Sequence, residues 1–165
     1  MILPICVAQV FDDYLDKELF ETIRDSFLKS DSTPWYHQKD ISGFGEEKDG
    51  YFTHLLFADY EIQSDKFNVV LPLLSKIKVN ALVRVKGNMY PRTDTLVHHK
   101  NHIDYDFKHK AALYCLNTCD GATVIGDQEI PSIENRIILF DPQTPHHSTN
   151  CTNQQFRANI NINYF

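Results

Sequence analysis

The chain has 165 residues, a net charge of −6, and 42% hydrophobic and 23% charged residues. This length and composition predict one globular domain with a sizeable core rather than a disordered chain. The acidic balance without a long basic run argues against a nucleic-acid partner, and no apolar run approaches the ~20 residues of a membrane span, so we expect no membrane association.

The first half of the chain predicts a strand and two helices. The segment MILPICVAQVF lacks the basic start and cleavage site of a signal peptide and predicts a first strand. Residues 16–29 predict a helix that Asp16 can cap. Its apolar residues recur at helical spacing and form one stripe: Leu19, Phe20, Ile23 and Phe27. A second helix is expected after Asp65, with Pro72 either kinking it or beginning its regular part.

Residues 32–50 carry Pro, Gly and Ser and predict a loop. The loop contains Trp35, Tyr36 and Phe44, and these aromatic residues have two interpretations. They could form a wall over the mouth of a binding site, or they could pack the loop onto the two helices.

From residue 80 onward the hydrophobic pattern changes from helices to strands. Six β-rich runs follow with turn signals between them: ALVRVKGNMY, DTLVHHKNHIDYD, AALYCLN, ATVIGD, NRIILFD and FRANININYF. Many short strands after two helices predict a mainly β fold, a sandwich or jelly roll with an N-terminal helical support layer. We expect a single domain, residues 1–165, with residues 1–79 as helical support and lid and residues 80–165 as the core.

The stretch HHKNHIDYDFKH, residues 98–109, holds four histidines and two aspartates and indicates a possible metal site. On a strand, side chains two residues apart share a face and lie roughly 6–7 Å apart. This geometry selects His102 and Asp104, because the remaining candidates are too far along the strand or on its other face. A third ligand is then expected from FDPQTPHH, which offers His146 and His147. Two histidines and one carboxylate form the facial triad of non-heme Fe(II) oxygenases, although H-x-D alone also occurs by chance.

The order of these elements resembles the Fe(II)/2-oxoglutarate-dependent oxygenases, in particular the prolyl-4-hydroxylase-like branch and its small bacteriophage-encoded members. The family's H-x-D matches His102-Ile103-Asp104, and its F-x-x-x-x-P-H matches FDPQTPH, which ends at His146. The family's arginine, about ten residues further on, matches Arg157 in the last predicted strand. The resemblance extends over nearly the whole chain, and the combined pattern is more specific than any of its parts.

The resemblance implies a double-stranded β-helix, or jelly roll, that binds Fe(II) through His102, Asp104 and His146. Arg157 would bind the distal carboxylate of 2-oxoglutarate through its planar, permanently charged guanidinium, and Tyr90 would line the cosubstrate pocket. O2 would be the second cosubstrate, and ascorbate a stimulant. The implied activity is that of a cytoplasmic oxidoreductase (in the host cytoplasm if phage-encoded) that hydroxylates an unactivated C–H bond, first of all in a peptidyl proline.

Several alternatives stay open. Counting ten residues back from Arg157 favours His147 over His146 as the third ligand. The family's tyrosine before LN is Cys115 here, with Tyr114 beside it and pointing the other way, so the cosubstrate contacts are expected to differ. The substrate could be a free amino acid or another small molecule rather than a protein or peptide. The chain could also be a non-catalytic jelly-roll binding module, or a zinc hydrolase that uses the same triad.

Overall fold

The computed structural model describes residues 8–39 and 50–165. Within these residues the chain has eleven strands, two α-helices and one 3-10 helix. Their order is β1 (Gln9–Phe11), α1 (Lys17–Leu28), β2 (Tyr36–Gln38), β3 (Tyr51–Ala58), β4 (Glu61–Ile62), the 3-10 helix (Asp65–Val70), α2 (Leu71–Ile77), β5 (Leu82–Pro91), β6 (Lys110–Cys115), β7 (Ala122–Ile125), β8 (Gln128–Pro131), β9 (Ile137–Phe140), β10 (His146–Ser148) and β11 (Phe156–Tyr164). Neither α1 nor any other helix of the described part is long and apolar enough to cross a membrane.

The strands form two antiparallel sheets of unequal size. The larger sheet has eight strands in the order β1-β9-β6-β11-β5-β3-β2, with β4 paired to β3. The smaller sheet has three strands in the order β10-β7-β8. The central strand β11 pairs with β5 on one side and β6 on the other. This arrangement is the predicted jelly roll, a double-stranded β-helix, and the mainly β fold class is confirmed.

Helix α1 packs its apolar stripe against the larger sheet. One buried cluster contains side chains of this stripe and of β11: Phe20, Ile23, Phe27, Ile160 and Ile162. Asp16 caps the helix, because its Oδ1 accepts a hydrogen bond from the Leu19 N–H at 3.0 Å. The predicted N-terminal helix, its cap and its supporting position are therefore confirmed.

The second helical segment has two parts. It begins as the 3-10 helix, where the Ser64 side chain accepts a hydrogen bond from the Lys66 N–H at 3.1 Å, and it becomes α-helical from Leu71. Pro72 lies in the first turn of α2, where its missing N–H removes no intrahelical hydrogen bond. Of the two roles predicted for Pro72, beginning the regular part of the helix is the confirmed one.

The first half also contains strands that the sequence pattern did not predict. Strand β2 lies within residues 32–50, which we predicted as a loop, and β3 lies between the two helices in the larger sheet. The run YFTHLLFA shows no clean alternation, because β3 buries residues on both of its faces. Besides the predicted first strand, which corresponds to β1, strands therefore occur well before residue 80, where the sequence predicted that the main run of strands starts.

The aromatic residues of this region differ in burial. The Trp35 ring packs edge-on against Phe27 with a centroid distance of 6.3 Å. It also covers Gly87 of β5, where an added Cβ would lie only 3.2 Å from the indole ring. Tyr36 is 61% exposed. Trp35 thus follows the packing interpretation, whereas Phe44 lies outside the described residues.

Residues 94–106 do not form the strand that we predicted. Among the described residues its β-bridges are two isolated ones, His98 with Thr149 and His102 with His146. The short strands β8 and β10 were not predicted either. With four and three residues, they offer too few positions for an alternating pattern to be recognised.

Candidate active site

Backbone hydrogen bonds join the HIDYD segment to the FDPQTPHH segment. The His102 N–H donates to the His146 carbonyl oxygen at 2.9 Å, and the His146 N–H donates to the His102 carbonyl oxygen at 3.0 Å. This reciprocal pair places the two side chains next to each other, with ring centroids 4.6 Å apart. The site is therefore built on a two-residue bridge between segments and not on a continuous strand.

Asp104 completes a group of three potential metal ligands. Its Oδ1 lies 4.0 Å from His102 Nε2 and 3.9 Å from His146 Nε2. The three ligand atoms all lie within 4.8 Å of one another, and residues 8–39 and 50–165 contain no other such group of three. The structure thus brings together His102, Asp104 and His146, the set expected from the sequence.

Both histidines present their Nε2 atoms to this group. His146 Nδ1 lies 2.9 Å from the Thr144 carbonyl oxygen, and His102 Nδ1 lies 3.3 Å from that of Lys100. Because a carbonyl only accepts, these contacts assign the proton to Nδ1 and leave the lone pair on Nε2. Burial lowers the pKa of His146 despite the attraction of Asp104. His146 Nε2 is buried and has no hydrogen-bond partner in the described part of the chain, as expected of a metal-binding atom.

Two side chains of the larger sheet hold Asp104. Asn163 Nδ2 donates to its Oδ2 at 2.7 Å, and Arg84 Nη2 lies 3.4 Å from its Oδ1. Burial alone would raise the pKa of Asp104, but Arg84, the two imidazoles and the bond from Asn163 hold that pKa below its usual value. The carboxylate is therefore ionised at neutral pH and able to bind a cation.

Asn163 and Arg84 were not predicted as site residues. They lie opposite each other on β11 and β5. The sequence did contain a signal, because alternate residues of FRANININYF share one face of a strand. That face consists entirely of polar residues: Arg157, Asn159, Asn161 and Asn163.

His147 has contacts outside this group. Its Nδ1 lies 2.7 Å from Asn101 Oδ1, and its Nε2 lies 3.1 Å from His98 Nδ1. Both ring nitrogens are thereby engaged. Of the two adjacent histidines, the structure brings His146 and not His147 next to Asp104.

Arg157 lies further along the same polar face, and its side chain is fully buried. Its Nη1 donates to the Thr149 carbonyl oxygen at 3.0 Å, its Nη2 donates to Thr123 Oγ1 at 2.5 Å, and its guanidinium lies 5.6 Å from the centre of the Tyr90 ring. Its Nε has no partner, and no carboxylate of the described residues pairs with it. A buried guanidinium in this condition is expected to bind an anion from outside the chain.

Gly121 makes room for this arginine. A Cβ at Gly121 would lie 2.7 Å from Arg157 Cδ and closer still to the Asn150 carbonyl oxygen. Any larger residue would displace the Arg157 side chain or the backbone behind it. Glycine is therefore required here by close approach, and not by an unusual backbone angle.

A small cavity of about 40 Å³ lies between the two sheets and opens to solvent at its mouth. This volume is well below that of most ligand pockets. Its lining is mostly polar and comes from both sheets: Asn88, Tyr90, Thr123, His146, Asn159 and Asn161. The Oδ1 atoms of Asn88 and Asn161 are buried without a partner among the described residues. Unpartnered polar atoms in a cavity indicate a polar ligand.

Tyr90 forms one wall of this cavity. Its ring stacks on Tyr51 and on His99, with centroid distances of 5.4 Å in both cases. The same ring lies against the guanidinium of Arg157. Tyr90 thus occupies the position expected of a residue that lines a pocket next to Arg157.

Cys115 replaces the tyrosine that the family resemblance would place here. It lies opposite Asn159 in the β6–β11 pair and is fully buried, and burial raises the pKa of its thiol. Tyr114 lies on the other face, where its hydroxyl donates to Asn135 Oδ1 at 2.7 Å. The polar face of the larger sheet therefore has a neutral thiol at this position and no phenol.

Lys86 is a second cation close to the cavity, and sequence reasoning missed it. It is half-buried on β5, and its Nζ donates to the Tyr51 hydroxyl at 3.2 Å. Burial lowers the pKa of Lys86 to about 8, with repulsion from Arg84 acting in the same direction and attraction to Asp104 opposing it. Lys86 and Arg84 are two residues apart on β5 and therefore lie on the same face of the strand. This spacing was the sequence signal that could have identified Lys86.

No protein-family model matches the chain, and no curated protein matches it. Solved structures do. A Trichoplax adhaerens prolyl hydroxylase, in complex with a hypoxia inducible factor peptide fragment, is 14% identical with a TM-score of 0.68, over 96% of this chain and 83% of that chain. A Pseudomonas putida prolyl-4-hydroxylase is 11% identical with a TM-score of 0.62, over 97% and 93%. HygX from Streptomyces hygroscopicus, with nickel and 2-oxoglutarate bound, is 12% identical with a TM-score of 0.63, over 96% and 82%.

At sequence identities of 11–14%, these structural similarities show that the fold is shared and show nothing further. The chain shares the double-stranded β-helix of prolyl hydroxylases and other 2-oxoglutarate/Fe(II) oxygenases over nearly its whole length. The fold implied by the sequence resemblance is confirmed in this way. The activity has to be argued from the site itself.

Proposed function

We propose that this protein is an Fe(II)- and 2-oxoglutarate-dependent dioxygenase that hydroxylates an unactivated C–H bond. One observation carries the proposal. Two imidazoles and a carboxylate meet beside a cavity whose wall residues Tyr90 and Thr123 contact a buried arginine with no carboxylate partner among the described residues. The fold shared with 2-oxoglutarate/Fe(II) oxygenases supports the same conclusion.

The donor set fits Fe(II). His102, Asp104 and His146 would be its ligands, and two imidazole nitrogens with one carboxylate oxygen leave coordination positions open for other groups. The hydrogen bond from Asn163 and the charge of Arg84 would keep the Asp104 carboxylate oriented and ionised. The unpartnered Nε2 of His146 is the atom that most clearly lacks a ligand.

The buried arginine behind the wall residues Tyr90 and Thr123 suits the distal carboxylate of 2-oxoglutarate. The Arg157 guanidinium would bind the distal carboxylate, since its planar donors match a carboxylate and it stays charged at all relevant pH values. Tyr90 would form the adjoining wall, and the cavity would keep water from the reacting groups. When bound, iron, 2-oxoglutarate and O2 supply the oxidation, which converts 2-oxoglutarate to succinate and CO2. Ascorbate is expected to stimulate the reaction.

For the substrate we propose a peptidyl proline, with the protein as a small bacteriophage-encoded relative of the prolyl hydroxylases. The order of motifs supports this choice, and the Trichoplax neighbour is in complex with a peptide fragment. Lys86 favours a second candidate, a small molecule with a carboxylate such as a free amino acid. Its ammonium group is near Asp104 and has donors left beyond the Tyr51 hydroxyl.

The first experiment adds Fe(II) and 2-oxoglutarate to the purified protein without oxygen and records the weak visible charge-transfer band of chelated 2-oxoglutarate. The wild type should give the band, and His102→Ala should abolish it. Arg157→Met should weaken 2-oxoglutarate binding by roughly 2–5 kcal/mol, as when one partner of a buried charge pair is removed. Arg24→Met is the matched control and should leave the band unchanged, because this half-buried arginine lies on α1, which packs on the opposite face of the larger sheet.

The outcome separates the alternatives. No band in the wild type, with metal binding unchanged in His102→Ala, would refute the oxygenase proposal and leave a non-catalytic binding module. If the band forms, succinate release is then measured with a proline-containing peptide and with free L-proline. Stimulation by the peptide alone supports the prolyl hydroxylase proposal, and stimulation by the amino acid alone supports the small-molecule alternative.

A further inference from the structure

A second pair of histidines lies outside the triad, at the rim of the cavity. His98 Nδ1 and His147 Nε2 are 3.1 Å apart, and their ring centroids are 5.4 Å apart. His98 is exposed, and His147 lines the mouth of the cavity. The proposed reaction uses neither residue.

The separation of the two nitrogens is that of a chelating pair. Imidazole nitrogens bind transition metals at about 2.0–2.1 Å, so two of them on one ion lie about 2.9–3.4 Å apart for bond angles between 90° and 109°. The observed 3.1 Å falls within this range. An ion bound by both nitrogens would lie to one side of the line that joins them, so each ring would rotate to aim its lone pair at the ion.

Asn101 prepares His147 for this role. Its Oδ1 accepts a hydrogen bond from His147 Nδ1 at 2.7 Å, which assigns the proton to Nδ1 and leaves the Nε2 lone pair facing His98. His98 Nδ1–H is then the donor between the rings. On metal binding, His98 would change to its other neutral tautomer, with the proton on the solvent-facing Nε2. A side-chain acceptor behind the ligand is the usual support of a metal-binding histidine.

The backbone holds the pair in place from both sides. His98 is bridged to Thr149, and His147 belongs to β10, so the two residues lie on neighbouring segments. On the other side, Glu129 of β8 and His147 of β10 both pair with Val124 of β7. Glu129 is exposed and lies in the same row of the smaller sheet, roughly 10 Å from His147 at the backbone. From there its carboxylate attracts a cation at His147 without reaching it as a ligand.

We propose that His98 and His147 form a second binding site for a divalent transition-metal ion such as Zn²⁺, with Asn101 as the positioning residue. Water completes the coordination. The site does not depend on the proposed oxygenase activity. Because His147 lines the cavity mouth, an ion bound there stands next to the path by which ligands reach the triad.

The test titrates metal-free protein with ZnCl2 by calorimetry at pH 7.5, in a buffer that does not bind metals. The wild type should bind two equivalents, and His98→Ala should bind one. His37→Ala, which removes an exposed histidine of β2, is the matched control and should still bind two. Asn101→Ala should keep two equivalents but weaken one of them about tenfold, the usual effect of removing the group behind a ligand.

His102→Ala makes this test independent of the proposed function. It should remove the inner equivalent and leave the one that His98→Ala removes. A single equivalent in the wild type that His98→Ala retains, or two equivalents in His98→Ala with native circular dichroism, overturns the second site. If His98→Ala does not fold, His147→Gln is titrated instead, with the same expectation of one equivalent. Two equivalents retained in His102→Ala would count against the triad and leave the outer site standing.

Discussion

The two faces of β11 are equally buried but chemically opposite. Ile160 and Ile162 point into the apolar cluster with α1 and are completely buried. Arg157 and Asn163 point to the other side of the sheet and are also completely buried. The first face stabilises the fold by removing apolar surface from water. On the second face Arg157 Nε and Asn161 Oδ1 have lost hydration without gaining a partner among the described residues, which a ligand explains better than fold stability does.

The largest change in the free energy of unfolding is expected when a polar side chain is placed on the apolar face of β11, and a much smaller change when an apolar side chain is placed on the polar face. Ile160→Asn leaves a cavity and buries an amide without partners, which should lower the free energy of unfolding by roughly 4 kcal/mol or more. Asn161→Ile removes an amide whose Oδ1 has no partner among the described residues. It should change the free energy of unfolding by no more than about 1 kcal/mol.

Chemical denaturation of both variants measures their free energies of unfolding. The anaerobic charge-transfer band measures how well each variant still binds 2-oxoglutarate. Asn161→Ile should weaken the band, because an isoleucine would fill part of the cavity that Asn161 lines. Equal destabilisation by the two substitutions would show that the polar face contributes to folding as the apolar face does.

A change behind the triad should have a smaller effect. Asn163→Ala removes the 2.7 Å hydrogen bond to Asp104 without removing a proposed ligand. Metal affinity should fall by about 10- to 100-fold, measured by competition with a chromophoric chelator. Asn80→Ala, at an exposed position, serves as the control. An unchanged affinity in Asn163→Ala would mean that Arg84 alone keeps Asp104 in place.

The smallest effect is expected from Lys86→Met, and it depends on pH. The pKa of Lys86 is lowered from 10.5 to about 8 in the folded protein, chiefly by burial. Between these values the unfolded state binds more protons, so the wild type gains stability as the pH rises. At pH 7 the substitution should raise the free energy of unfolding by about 1 kcal/mol, less than the full shift because the side chain is half-buried.

Denaturation at pH 7 and pH 10.5 checks this prediction. The difference in the free energy of unfolding between Lys86→Met and the wild type should shrink toward zero at the higher pH. Lys108→Met, at an exposed position, should show no such dependence. An advantage that persists at pH 10.5 would indicate improved packing rather than relief of a buried charge.

The sequence predicted the apolar side of this comparison better than the polar side. Helix α1 and strand β11 follow from periodicity, because one face of each packs on apolar neighbours. Strands β5, β6 and β9 follow from short β-rich runs between turn signals. Strand β3 was missed because both of its faces are partly buried, which removes the alternation. The bridge between His102 and His146 leaves no periodic pattern in the sequence, because the two residues are more than forty positions apart.

The candidate site was predictable only where motif spacing carried information. His102 and Asp104 were selected by side-chain spacing, and His146 and Arg157 came from the family resemblance. The structure brings His102, Asp104 and His146 together. Asn163, Arg84 and Lys86 carry no motif. They are visible only once the pairing of β11 with β5 is known, because the contact between them is made across strands and not along the chain.

The reciprocal bonds between the backbones of His102 and His146 have a further consequence for assembly. They hold the two imidazoles in place by main-chain pairing, which does not involve the side chains that would bind an ion. In proteins whose ligands meet only around the ion, binding energy is folding energy, and chelators unfold them. Here the pocket is preorganised by the fold. The protein should therefore be recovered folded from metal-poor growth and accept different divalent ions after purification, with a melting curve that shifts on loading but begins from a native chain.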